Sequence, residues 1–413
     1  MDFIDGGVTA PLGFMAGAAA AGLRRGGGDD VALVVSARDC AAAGLFTTNV
    51  VKAAPVLLDM EVLGRRQDAG ETPALRAVVA NAGNANACTG PAGLDAARGM
   101  QAATAQVLSA ASIQPEQVLV LSTGVIGVPL PLEKVAAGIA QAAARLDAAC
   151  GEVAARAIMT TDTRPKSFAV RCELPGGGVT LGGMAKGAGM IHPNMATMLA
   201  VLTTDAAVEP ALLERLLKAS ADRSFNCISV DGDTSTNDTV LLLANGASGV
   251  AVDSPEAEAV FGEALLALCT ALAQAIVRDG EGATKFVTVQ VEGLPDDGAA
   301  KQVANTIATS ALFKTAVAGG DPNWGRVLAA AGRAGVPFEP DAAALWIAAN
   351  DGAPLQLVAG GTPTDYNEDD AAAIFAQSEL TVRLRLGDGP GAAKVWTTDL
   401  THEYVTINSH YRT

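Results

Sequence analysis

The run Lys186-Gly187-Ala188-Gly189-Met190-Ile191-His192-Pro193-Asn194-Met195-Ala196-Thr197-Met198-Leu199 concentrates the chemistry this sequence can offer. Small residues at 187–189 allow close backbone approach and Pro193 stops a helix from propagating, so the peptide ahead of Thr197 can be held exposed and strained. A hydroxyl at that point can attack the carbonyl of Ala196 in an N-to-O acyl shift. Hydrolysis of the resulting ester would release a chain beginning at Thr197. Its new α-amine, with a pKa near roughly 8, could take the proton of its own hydroxyl. One residue would then be nucleophile and base, which suits a chain with only three histidines and no evident Ser-His-Asp triad. The plainer reading of Thr197 is a β-favouring residue at the start of a strand, and composition alone favours it.

Other signatures are missing. The chain has no Walker loop, no G-x-G-x-x-G between strand and helix, no H-E-x-x-H and no G-x-S-x-G. The Gly/Asp/Asn-rich stretch 319–325 reads as a strong turn, with a phosphate nest as the weaker alternative. Six cysteines, at 40, 88, 150, 172, 227 and 269, form no C-x-x-C pair, so no metal site is expected and the thiols are expected to be reduced and mostly buried.

The elements that must position this run alternate between strand and helix. Residues 31–36 and 77–80 read as buried strands, and 94–108 and 132–149 as helices. Two strand-like segments after the polar run 160–163 meet at the turn 175–178, as in a hairpin. The glycine-rich loop 182–193 then leads into the apolar strand 198–202, which places Thr197 where loop meets core. Helical periodicity returns at 210–221 and 256–277, with a polar segment, 231–238, between them. From about 286 the pattern turns strand-rich, with further strands at 342–348 and 380–386 and a final one around Thr406.

A length of 413 residues suggests two domains or one large composite, because single cores stop growing near roughly 250–300 residues. Half the residues are apolar and few are aromatic, so small and aliphatic side chains must build the core. The net charge of −16 is spread along the chain without basic clusters, which argues against nonspecific nucleic-acid binding. No signal or transit peptide and no membrane span is read, so a cytoplasmic protein is expected.

The run 186–199 resembles the signature of the ornithine acetyltransferase family, whose members cleave between Ala and Thr in such a stretch. The similarity continues through Gly7-Val-Thr-Ala-Pro-Leu-Gly-Phe14, Asn81-Ala-Gly-Asn-Ala-Asn86, Ser122-Thr-Gly-Val-Ile-Gly127, Met159-Thr-Thr-Asp-Thr163, Asp279-Gly-Glu-Gly-Ala-Thr-Lys285, Gly320-Asp-Pro-Asn-Trp-Gly-Arg326 and Ile407-Asn-Ser-His-Tyr-Arg-Thr413.

The resemblance implies cleavage between Ala196 and Thr197, with Thr197 as nucleophile and Thr123 and Gly124 as oxyanion donors. It also implies substrate contacts at Thr160, Lys186, Thr197, Glu281, Asn408 and Thr413. An amino-acid substrate demands both signs of charge, and Lys186 suits the carboxylate or acyl region while Glu281 suits a cationic amine. The implied reaction is a ping-pong transfer of acetyl from N2-acetylornithine to glutamate, releasing ornithine, in arginine biosynthesis and with no cofactor. Some members also accept acetyl-CoA, and the sequence leaves that open here. The implied fold is α/β, with stacked sheets between helical layers (α/β/β/α), related to but distinct from N-terminal nucleophile hydrolases, with a smaller C-terminal α/β part beginning near 286. Fragments 1–196 and 197–413 would stay together, two copies of each forming a heterotetramer.

Overall fold

The computed structural model describes residues 1–68, 74–192, 198–349 and 352–410. The first strands are β1 (Asp2–Ile4), β2 (Phe14–Ala19) and β3 (Val31–Phe46), followed by α1 (Ala54–Asp68), β4 (Leu75–Asn84), α2 (Gly90–Val107) and β5 (Val118–Val125). Helices α3 (Leu132–Ala143) and α4 (Gly151–Ala157) lead to the hairpin β6 (Lys166–Leu174) and β7 (Gly177–Lys186). Next come β8 (Leu199–Thr204), α5 (Pro210–Asp222), the short β9 (Ile228–Ser229), β10 (Thr239–Ala244) and α6 (Pro255–Arg278). Among the described residues, nine strands form one sheet in the order β1-β6-β7-β8-β10-β3-β4-β5, with β2 also paired to β3.

Strand β3 turns the corner of this sheet. Its first half pairs with β2 and β4 and its second half with β10, and the register slips between Val35 and Cys40. Such a bulge lets one strand serve two packed layers. Alternation along each strand then feeds three apolar layers. Leu199 and Val201 of β8, with Val78 and Ala80 of β4 and Leu119 and Leu121 of β5, fill the space between the two halves of the sheet. Ala77, Val79, Val118 and Val120 point outward to α1, α2 and α3, whereas Ala200, Leu202, Val240 and Leu242 point the other way, to α5 and α6. The layering is therefore α/β/β/α, as the resemblance implied.

A second sheet follows, built from β11 (Phe286–Gly293), β12 (Ala344–Ala349), β13 (Leu355–Ala359), β14 (Thr362–Pro363), β15 (Glu379–Arg385) and β16 (Gly389–Thr398). Its order is β14-β13-β12-β15-β11-β16-β9, so the short strand β9 ties it to the first part of the chain. Helices α7 (Asp297–Ala308), α8 (Ala311–Gly319), α9 (Trp324–Gly332) and α10 (Glu368–Phe375) share its core, and α11 (His402–His410) ends the described chain. Side-chain caps fix many helix starts: Ser254 on α6, Asp296 on α7, Ser310 on α8 and Asn323 on α9 each accept a backbone N–H of the first turn.

Four readings of the sequence need correction. The helix expected over 132–149 stops at Ala143, where residues 144–147 turn back so that Asp147 bridges Ala16, and a separate α4 follows. The region after 286 carries three consecutive helices, α7–α9, between its first two strands. The strand expected around Thr406 is the helix α11; Tyr404, Val405, Thr406 and Ile407 supply β-type propensity, but nothing pairs with them and propensity yields to context. Finally, α6 is long and apolar enough to cross a membrane by length and composition, contrary to the reading that no segment is. Its apolar residues pack on β6 and β7, which makes it a core helix of the α/β/β/α stack.

Candidate active site

A cavity of about 310 Å³ opens where β4, β5 and β7 end. It is lined by Thr123 and Gly124 of β5, Thr160 and Thr161 of the loop before β6, Lys186 at the end of β7, Glu281 after α6, and Tyr404 and Asn408 of α11. Six positions singled out in the sequence, 123, 124, 160, 186, 281 and 408, thus share one space. Ala196, Thr197 and Thr413 lie outside the described residues.

Each wall has a local cause. Gly124 sits at φ +128°, and a Cβ there would lie 2.4 Å from the carbonyl carbon of Gly83, so the parallel ends of β4 and β5 can touch only through glycine. Asn237 ties the same two ends, its amide donating to Ala85 O at 2.7 Å and Ser122 O at 2.8 Å. Helix α11 has no buried residue, yet it docks closely because Gly282, at φ +68°, leaves room for the Tyr404 backbone N 2.4 Å from where a Cβ would stand. Residues 404 and 408 are one helical turn apart and reach the cavity together.

The electrostatics centre on one buried lysine and two carboxylates. Lys186 is 3% exposed, and its Nζ donates to Thr123 Oγ1 at 3.3 Å. Burial lowers its pKa, against the opposing pull of Asp162. Glu281 lies against the Cα of Gly189, where a Cβ would come within 2.5 Å of the carboxylate, and it accepts the Asn408 amide at 2.7 Å. Asp231 accepts Met190 N–H at 2.5 Å, Ile191 N–H at 2.9 Å and the Tyr404 hydroxyl at 3.3 Å. Burial pushes its carboxyl up to about 6 despite those donors. Met190, at φ +58°, carries the strain of this turn.

Behind the cavity a buried ionic network joins three of its walls. Lys166 Nζ donates to Asp162 at 2.5 Å and to Asp279 at 2.6 Å. Asp162 also accepts Gly187 N–H at 2.7 Å and Thr160 N–H at 3.0 Å, and Asp279 accepts Thr163 N–H at 3.0 Å. Burial would raise Asp162, but the ammonium groups of Lys186 and Lys166 outweigh it and hold the carboxyl at about 2. Asp162, Lys166, Asp231, Asn237 and Tyr404 were not singled out in the sequence. The polar runs 160–163 and 231–238 were visible, but nothing local shows which of their side chains turn inward.

The turn at 320–323 links α8 to α9, with Gly320 at φ +71°, and does not line the cavity. Of the free cysteines, 40, 172, 227 and 269 are buried, Cys150 is half-buried and Cys88 is exposed.

Comparison with known proteins gives a consistent picture. The model of the ArgJ family matches residues 15–413. The arginine biosynthesis bifunctional protein ArgJ of Symbiobacterium thermophilum is 50% identical over 100% of this chain and 100% of its own. The protein of the same name from Parasynechococcus marenigrum is 47% identical over 99% of this chain and 96% of its own. A solved structure of ornithine acetyltransferase complexed with ornithine, from Mycobacterium tuberculosis, is 42% identical over 46% of this chain and 97% of that chain, with a TM-score of 0.41.

Proposed function

The chain belongs to the ArgJ family, and from that premise we propose that it transfers the acetyl group of N2-acetylornithine to glutamate through an acetyl ester on Thr197. It is an arginine-biosynthesis acetyltransferase, a glutamate N-acetyltransferase. The observation that carries the finer reading is the convergence of Thr123, Gly124, Thr160, Lys186, Glu281 and Asn408 on one cavity with a cation and a carboxylate inside it.

In this reading the chain cuts itself between Ala196 and Thr197, and the freed α-amine of Thr197 serves as base. Thr197 Oγ attacks the acetyl carbonyl while its proton passes to that amine. Negative charge develops on the carbonyl oxygen, and the Thr123 hydroxyl and Gly124 N–H are the donors for it. Because Lys186 Nζ donates to Thr123 Oγ1, the threonine's own proton is free to point at the oxyanion. Collapse of the tetrahedral intermediate breaks the C–N bond, and the proton returns to the departing ornithine amine. Glutamate then attacks the ester by the same steps in reverse. Lys186 supplies the positive charge that an α-carboxylate seeks, and Glu281, aimed by Asn408, supplies the negative charge for the ornithine side-chain ammonium. Two copies of each fragment form the assembly.

Intact mass spectrometry tests this. Purified protein should give two fragments, one beginning at Thr197, and that fragment should gain one acetyl group from acetylornithine and lose it to glutamate. Acetylation of the same fragment by acetyl-CoA would add a second donor. An uncut chain, or acetate released without glutamate, would sink the transfer mechanism.

A further inference from the structure

The polar run between β9 and β10 holds two carboxylates, the half-buried Asp231 and the fully buried Asp238, which bond the backbone before and after residues 193–197. Upstream, Asp231 accepts the N–H groups of Met190 and Ile191, and Val230 N–H donates to Ile191 O at 2.8 Å. Downstream, Asp238 Oδ1 accepts Met198 N–H at 2.9 Å, and Thr239 N–H donates to Met198 O at 3.0 Å. Asp238 is fully buried, and its Oδ2 has no hydrogen-bond partner among the described residues. A buried carboxyl left half satisfied is expensive and calls for a reason. Burial raises Asp238 well above the usual carboxylate range, and the Met198 N–H, Lys186 and other nearby donors only partly oppose that. Its Oδ1 accepts the Met198 N–H whether or not the other oxygen carries a proton.

We infer that Asp231 and Asp238 are positioning residues that fix the backbone on both sides of 193–197 and thereby set the rate of self-cleavage before Thr197. The inference rests on the reading of Thr197 as the self-cleaving nucleophile. An N-to-O shift has no second molecule to recruit, so its rate depends on how closely hydroxyl and carbonyl are held, and a misplacement of about 1 Å can cost on the order of a hundredfold. The polar run holds the chain at 190–191 and at 198.

Asp59 provides the control. It too is fully buried, accepts one backbone N–H, from Val120 at 2.9 Å, leaves Oδ2 without a partner among the described residues, and is raised by burial. It lies on α1 beneath β5, away from residues 190–198. If buried carboxyls matter here only for stability, Asp59 and Asp238 variants should behave alike.

The experiment follows the uncut fraction over time by intact mass, alongside thermal melting, in full-length Asp231→Ala, Asp238→Ala, Asp238→Asn, Asp59→Ala and Thr197→Ala. Asp231→Ala and Asp238→Ala should be folded and cut at least about tenfold more slowly than wild type, while Asp238→Asn, which keeps an oxygen for Met198 N–H, should cut within about threefold of wild type. Asp59→Ala should lose comparable thermal stability and cut at the wild-type rate. Wild-type cleavage in Asp231→Ala or Asp238→Ala, equal delay in Asp59→Ala, or failure to obtain Asp231→Ala and Asp238→Asn as folded protein would overturn the positioning role. Thr197→Ala separates the two ideas: if it is cut, the reading of Thr197 fails. If it stays uncut while both alanine variants cut normally, only the positioning role fails.

Discussion

Two buried lysines hold the molecule together in opposite ways. Lys166, 1% exposed, sits between the carboxylates of Asp162 and Asp279, so its charge is matched at close range. Among the described residues Lys314, 3% exposed, has only neutral acceptors: Val230 O at 2.8 Å, Thr398 O at 2.7 Å, Thr398 Oγ1 at 2.9 Å and Thr397 Oγ1 at 3.1 Å. Burial drives its pKa down to about 7, with Asp231 and Asp399 pulling the other way from a distance. Lys166 thus works as an ion that organises the cavity walls. Lys314, donating to neutral oxygens, fastens α8 to β16 and to the residue preceding Asp231. The difference shows two environments for a buried amine: Lys166 has carboxylates at contact distance, whereas burial among neutral oxygens lowers the pKa of Lys314.

The comparison breaks most visibly at Lys166. Lys166→Met would leave two carboxylates buried without their cation, a loss of about 3–5 kcal/mol. Because Asp162 also holds Thr160 and Gly187, acetyl transfer should fall to near background, read together with a drop in melting temperature. On the proposed cut, the pair Lys166–Asp279 joins the two fragments, so they should also separate at lower denaturant in native mass spectrometry. Unchanged stability would show that the network is not matched charge.

Lys314→Met comes next, since it strands neutral oxygens instead of ions, at about 1–3 kcal/mol. Its pH dependence sharpens the contrast. The folded pKa of about 7 lies below the unfolded value of 10.5, so the contribution of Lys314 is full above pH 10.5 and is lost as pH falls towards 7. Across that window wild type should gain about 1.4 kcal/mol per pH unit relative to Lys314→Met, measured by denaturant unfolding between pH 7.5 and about 9.5. Parallel curves would mean that Lys314 is charged throughout.

The smallest effect is expected at Thr397. Its hydroxyl accepts from Lys314 and donates to Ala308 O at 3.0 Å, so Thr397→Val should cost about 1 kcal/mol, with acetyl-transfer rates unaltered. A larger loss would mean that Lys314 depends on this one acceptor more than the shared geometry implies.

Much of the fold could be read from the chain because it is locally encoded. The 166–174 and 177–186 hairpin, the strand after 198 and the helices 210–222 and 255–278 follow from periodicity, turns and caps. The misread elements are those where local preference and tertiary demand disagree, as in the Tyr-Val-Thr-Ile stretch of α11. The candidate site was legible only residue by residue, through motifs. Gly189 appears in a glycine-rich run, but its need for glycine comes from Glu281 pressing on it from 92 positions away in sequence (281 − 189).

By itself the sequence singled out the run 186–199, Thr197 as the proposed nucleophile and the charge types a substrate would need, because these are properties of residue type and short spacing. Which side chains meet was decided by the tertiary structure. Asp238 reaches Met198, Asn408 aims Glu281, and Lys166 finds two carboxylates while Lys314 finds none among the described residues, because strand register and the packing of layers bring together groups that no local pattern connects.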